Sequence, residues 1–274
     1  MLQVDPMPTG LAAQRQNDGT STAASVAAEL VQLIIGQMRP GASLPSEADL
    51  ALKFGVSRVT IREAIKMLAG RGLLSLGRGR RSIVCEPDGS VLGDFLSWII
   101  LYDPKGMFDL IEVRMSLEVQ SVALAAERAT RPALAAIEAR VQDMRHAAQR
   151  MDQPGSGEAA ELAFHQADVG FHEALAMASG NRILTSLFEA MELPLQRSFF
   201  MSRRGRQLRG KDSQQTIDAH ERILRCVRAG EVAVAELAMR EHLEDARRDM
   251  LAAFDVPTRD ARHPSAREKD GVRR

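Results

Sequence analysis

From residue 91 to residue 254, apolar side chains recur at helical spacing in seven successive stretches: 91–101, 107–128, 132–151, 158–178, 181–200, 213–229 and 231–254. Stripes of this period can be buried only helix against helix, and the short breaks between stretches predict antiparallel neighbours in a bundle rather than a repeat array. Composition agrees. Aromatic residues are only 4% of the 274, and the abundance of Ala, Leu, Met and Arg favours helix over sheet.

The chain is long enough for two modest cores. Glu86-Pro87-Asp88-Gly89-Ser90 is a turn-rich break between a β-like stretch and the first of the seven helices. The expected organisation is therefore a disordered tail over 1–20, a first domain over 21–85, a linker over 86–90, a helical domain over 91–255 and a second disordered tail over 256–274. Cys85 and Cys226, far apart and in apolar settings, suit a reducing compartment and read as buried small hydrophobes. No apolar run approaches the ~20 residues of a membrane span, and the first residues lack a signal-peptide pattern. The expected location is the cytoplasm, with no membrane partner.

Formal charge totals zero, with 36 basic and 36 acidic residues, but its distribution is uneven. Between Ser21 and Cys85 nine basic residues face four acidic ones, a net +5. A compact basic module on an acidic remainder is the asymmetry expected when one part meets phosphate. The module opens with a helix over 21–37, its stripe of Val26, Leu30, Leu33 and Ile34 ending at Pro40-Gly41. Ser46 is placed to cap a second helix, Phe54-Gly55-Val56 makes a tight turn, and Ser57 can cap a third helix over 58–69. This is helix-turn-helix spacing. Arg58 and Arg62, one turn apart, share the outward face at the end of the third helix that reaches base edges in a major groove. An arginine fork can pair with guanine O6 and N7, so these two are the leading base readers. Ser57 and Thr60 are placed for phosphates. Strands over 72–76 and 80–84, joined through Gly77-Arg78-Gly79, form a cationic wing that would bring Arg78 and Arg80 near a minor groove. The candidate DNA-contact set is Ser46, Ser57, Arg58, Thr60, Arg62, Arg78, Gly79 and Arg80.

The order of these elements, clearest in LPSEADLALKFGVSRVTIREAIKMLAGRGLLSLGRGRRSIV, resembles the winged helix of the GntR family over about 60 residues. The resemblance implies a homodimer on a palindromic double-stranded operator. One position departs from it. Many members carry Arg two residues after the Ser of LPSE, where this chain has Ala48, so an operator unlike the usual half-site is expected.

In the second domain Asp168 and His172 form an i, i+4 pair on one helical face, while His220 and His242 sit on the last two helices. Three imidazoles and a carboxylate suit a borderline divalent ion: zinc first, with nickel or manganese as alternatives. Spacing alone leaves this set undecided, because nothing in sequence brings distant helices together. His146, His165 and His263 read as surface or capping residues, with His165 a weaker alternative ligand. Trp98 reads as packing in the first sensor helix, and Arg203, Arg204, Arg206, Arg209 and Lys211 as a solvated loop.

Residues 109–254 are similar to the FCD ligand-binding domain of FadR-type GntR regulators, through LIEVR with Glu118, DVGFH, ASGN, and the later His220 and His242. That resemblance implies a metal held by Asp168, His172, His220 and His242, with Arg114 clamping an effector carboxylate and Asn181 adding a polar contact. The expected fold is mainly α, a winged helix-turn-helix followed by an antiparallel all-helical bundle. The expected function is a ligand-responsive repressor of a carboxylate, sugar-acid or amino-acid catabolic operon. A metal-dependent hydrolase using the same four residues is the alternative, but no separate general base or nucleophile stands beside them. A nonspecific architectural DNA-binding protein would need a large positive charge that the chain lacks.

Overall fold

The computed structural model describes residues 19–77, 81–86, 88–103, 105–151 and 157–254. The wing tip (Arg78, Gly79, Arg80), His263, residues 1–18 of the first expected tail and all of the second lie outside the described residues. The chain divides into two compact units between Val91 and Leu92.

The first unit contains α1 (Gly19–Gln37), α2 (Glu47–Phe54), α3 (Arg58–Ala69), β1 (Leu74–Ser75) and β2 (Ile83–Val84). α2 starts where Ser46 and Asp49 close a reciprocal capping box, and it stops at Gly55, whose φ of 64° carries the chain into the turn. Ser57 then caps α3 by accepting from the Thr60 N–H at 3.1 Å. Val26, Leu30, Leu50, Ile61 and Leu68 bury completely between the three helices, and Leu74 and Val84 close the core from the paired strands. Those strands are shorter than the alternation suggested, two residues each.

The second unit takes in α4 (Ser90–Tyr102), α5 (Gly106–Arg128), α6 (Arg131–Met151), α7 (Gly157–Ala178), α8 (Arg182–Leu208), α9 (Ser213–Ala229) and α10 (Val232–Phe254). Seven helices were expected there, and seven are present among the described residues. α5, α6, α7, α9 and α10 surround a core led by Val122, Ile137, Met144, Phe164, Phe171 and Leu243. Each such fully buried side chain contributes about 1.5–3 kcal/mol of transfer free energy.

Three expectations need correction. Trp98 does not pack inward: it is 63% exposed on α4. Cys226 is buried, but Cys85 is only half-buried. Residues 201–208 are not a loop. α8 runs through Pro194 and Gly205 to Leu208, and the chain turns only at Gly210, with φ 66°. Gly205 resembles a helix breaker in sequence, but its role is steric. A Cβ there would stand 1.7 Å from the Asp249 carbonyl oxygen, so α8 and α10 touch backbone to backbone at this point. Arg209 and Lys211 tighten the same junction through ion pairs to Asp245, and Arg209 also pairs with Asp249.

Candidate functional site

α7, α9 and α10 bring Asp168, His172, His220 and His242 together, with one ligand atom from each lying within 4.8 Å of all the others. Partners fix the ring orientations. Nδ1 of His220 is 2.7 Å from the Thr216 carbonyl oxygen, which can only accept, so Nδ1 carries the proton and Nε2 presents a lone pair. Nδ1 of His172 pairs with the Glu118 carboxylate, which turns its Nε2 into the site as well. That Nε2 lies 3.3 Å from Nε2 of His242, and His220 Nε2 lies 3.1 Å from Asp168 Oδ1. These separations match the ~3–3.4 Å donor spacing around an ion with bonds of about 2.1 Å. Lone pairs that converge in this way repel one another unless a cation or a proton lies between them. The donor set therefore fits a divalent metal, and the Glu118 and Thr216 contacts supply the outer-shell support such imidazoles require.

Electrostatics keep Asp168 and Glu118 ionised and His242 neutral. Burial alone would raise the Asp168 carboxyl, but a proton on His220 Nε2, standing where the cation would, supplies a hydrogen bond and charge that with the other two imidazoles hold the carboxyl well below the aspartate range. Burial and the neighbouring His220 and His172 push His242 well below the usual imidazole value, so it stands neutral at pH 7. Glu118, 2% exposed, would also be raised by burial, yet Arg114 and His172 bring it down to about 2. Arg114 Nε donates to Glu118 at 2.6 Å.

Asp168, His172 and His242 border a cavity of about 270 Å³ whose wall also includes Arg114, His165, Arg206 and Thr216, while His220 lies behind that wall. Arg114 lines the cavity, with its Nε engaged by Glu118 and no other side-chain hydrogen bond to its remaining nitrogens among the described residues. Asn181 does not line it. Its Oδ1 accepts from the Ile183 and Leu184 N–H groups, making it the N-cap of α8 rather than an effector contact. His146 lies on the surface, but His165 is buried in the cavity wall rather than on a helix surface.

In the first unit, Arg58 is exposed at the start of α3. Arg62 lies on the same face but holds Glu47 of α2 through Nε at 3.1 Å and Nη2 at 2.7 Å. Its fork must leave Glu47 before it can read a base. Ser57 and Thr60 share a 2.9 Å hydroxyl contact. Ser46 donates to Asp49 Oδ2 at 2.6 Å while accepting from the Asp49 N–H, so its hydroxyl serves the cap rather than standing free for a phosphate.

Residues 22–84 match the family model of bacterial regulatory proteins, gntR family, and residues 109–245 match the FCD domain. The HTH-type transcriptional regulator LutR of Bacillus subtilis is 33% identical over 220 residues, 80% of this chain and 95% of that protein. The chain belongs to the GntR family, with an FCD domain. Other GntR relatives include the Glc operon transcriptional activator (30% identical; 82% of this chain, 87% of that protein) and the galactonate operon transcriptional repressor (32%; 76% and 86%), both of Escherichia coli. The structure of Streptococcus agalactiae GntR superposes with a TM-score of 0.66 at 28% identity, covering 82% of this chain and 99% of that one.

Membership makes this GntR protein a transcriptional regulator rather than an enzyme. Its GntR domain implies DNA as a partner and its FCD domain a small-molecule effector. No helix among the described residues is long and apolar enough to cross a membrane. The roles of two residues were missed in the sequence. Glu118 was readable as the i+4 partner of Arg114, but its contact with His172 was not. Arg206 carried no usable signal, because its neighbours suggested a loop.

Proposed function

We propose that this regulator represses a carboxylate-catabolic operon and releases its operator when a small carboxylate enters the FCD cavity. The observation that carries the effector class is that Arg114 lines the same cavity as Asp168, His172 and His242, three of the four residues of the cluster. Those four residues would hold a divalent ion, zinc first, with nickel or manganese accepted by the same donors. A bound ion would supply a Lewis-acid centre for an effector oxygen. Arg114, positioned by Glu118, would receive the carboxylate by charge-assisted hydrogen bonds from the nitrogens that Glu118 leaves available. The galactonate repressor and Glc activator named above are regulators of this architecture, consistent with an operon-level role.

On DNA, two copies of the chain form a homodimer, and each lays α3 into a half-site of a palindrome so that protein symmetry matches operator symmetry. Arg58 and Arg62 read bases, Ser57 and Thr60 meet phosphates, and the wing at Arg78, Gly79 and Arg80 approaches the minor groove. Ser46 acts by fixing the start of α2. Effector binding shifts the linker over 86–90 and changes the spacing of the two heads. Linkage then requires effector and DNA to weaken each other by the same factor.

Genomic-fragment capture with purified protein tests the reading. Wild type should retain a short palindrome, and Arg62→Ala should lose it while keeping weak, salt-sensitive binding. Retention of no preferred sequence at any salt or metal condition would defeat it.

A further inference from the structure

The cavity contains a cation the proposed function does not use. Arg206 lines the wall together with Glu241, Asp245 and Asp249, but those acids pair with Arg222, Arg209 and Lys211, and no carboxylate forms an ion pair with Arg206 among the described residues. Arg203 pairs with Glu161 at 2.7 Å, Arg209 with Asp245 and Asp249, and Lys211 with Asp245. Arg114 is neutralised by Glu118. Among the described residues Arg206 is held by the Phe164 ring, 5.6 Å from its carbon to the ring centroid, and by a 3.4 Å hydrogen bond to Thr216 Oγ1. Most of its five donors remain available.

Its position is built. Contact between Gly205 and the Asp249 carbonyl sets α8 against α10 one residue before Arg206, and the Arg209 and Lys211 ion pairs lock the helix end just beyond it. Thr216 links Arg206 to the cluster, its hydroxyl on Arg206 and its carbonyl on His220. His165 also lines the cavity, close enough to feel both Asp168 and Arg206.

From this arrangement we infer that the effector carries a second oxyanion, received by Arg206, besides the group held by Arg114 and the metal cluster. The inference rests on the carboxylate reading above and narrows it to dianions: a short dicarboxylate or aldaric acid, or a phosphorylated carboxylic acid. A monoanion would leave the Arg206 charge unmatched in a confined space, where an ion pair is worth more than in water.

The test is titration calorimetry on zinc-loaded full-length protein with acetate, malonate, succinate, glutarate and 3-phosphoglycerate, on wild type, Arg206→Gln and Arg206→Lys. Metal content and thermal unfolding are checked on each variant. At least one dianion should bind wild type tenfold or more tightly than acetate. Arg206→Gln should erase that gain while leaving acetate unchanged, and Arg206→Lys should keep part of it. A gain for phosphoglycerate alone identifies a phosphate as the second group, and a gain within the dicarboxylate series identifies a carboxylate. Acetate binding with no dianion gain, or a gain that survives in Arg206→Gln, overturns the inference and leaves the carboxylate reading standing. Failure of every anion to bind overturns both.

Discussion

The DNA-reading unit and the sensor unit each contain an arginine paired with a glutamate, and the two pairs behave oppositely. Arg62 and Glu47 meet where their side chains are 56% and 38% exposed, whereas Arg114 and Glu118 meet at 12% and 3%. The exposed pair is screened by water and salt, so its fork can exchange a carboxylate for a guanine edge at little cost. Glu118 is buried, charged and shared between Arg114 and His172, so it has no such freedom. A reading head needs charges it can redeploy, while a sensor needs charges that hold still until a ligand arrives.

The strongest way to break this contrast is to remove the buried acid. Glu118→Ala leaves Arg114 without its partner inside the protein, and a loss of about 3–5 kcal/mol is expected from breaking such a pair. Denaturant unfolding followed through the sensor unit measures it; a loss no larger than that of Glu47→Ala would erase the distinction. Glu118→Gln, which preserves shape, should weaken metal binding by about 10–100-fold through loss of outer-shell support, as read by chelator competition.

Next in size is metal removal. An ion present at 100 times its dissociation constant stabilises the folded state by about 2.7 kcal/mol. Chelation should lower the melting temperature of wild type and leave that of His220→Ala unmoved. Gly205→Ala sharpens the comparison from the packing side. Its methyl cannot fit against the Asp249 carbonyl, and a cost of about 1–3 kcal/mol is expected from such overpacking, with α8 displaced from the cavity. The unaltered reading head should still bind DNA; equal loss from both units would contradict their separate cores. The smallest change in folding belongs to Arg62→Ala. Its unfolding curve should overlay wild type, while preference for the operator over random DNA falls by roughly tenfold to a hundredfold.

The two regions also differed in how far they could be read from sequence. Helix starts and stops in the reading head are local events. The capping box at Ser46 and Asp49, the positive φ at Gly55 and the Ser57 cap all lie within a few residues of what they control, so α3 was placed at its observed bounds. The sensor cluster was only half local. Asp168 and His172 share a face by helical period, but the convergence of α9 and α10 on them is a matter of packing. The end of α8 was lost for a similar reason: the basic stretch after residue 200 lacks regular helical spacing, and the close approach of Gly205 to Asp249, 44 residues further along the chain, is a matter of packing. With α8 ended too early, Arg206 passed for a solvated charge. Asn181 showed the reverse case, a polar residue in a family motif whose side chain is occupied by the helix it starts.

The most direct test of the account is fluorescence anisotropy on the captured operator, with metal-loaded protein titrated by carboxylates. Operator affinity should fall on effector addition in wild type and stay constant in Arg114→Ala and in the chelated protein. An operator affinity that ignores every carboxylate, or a response that persists without both Arg114 and the metal, would contradict the claim that this cavity controls the reading head.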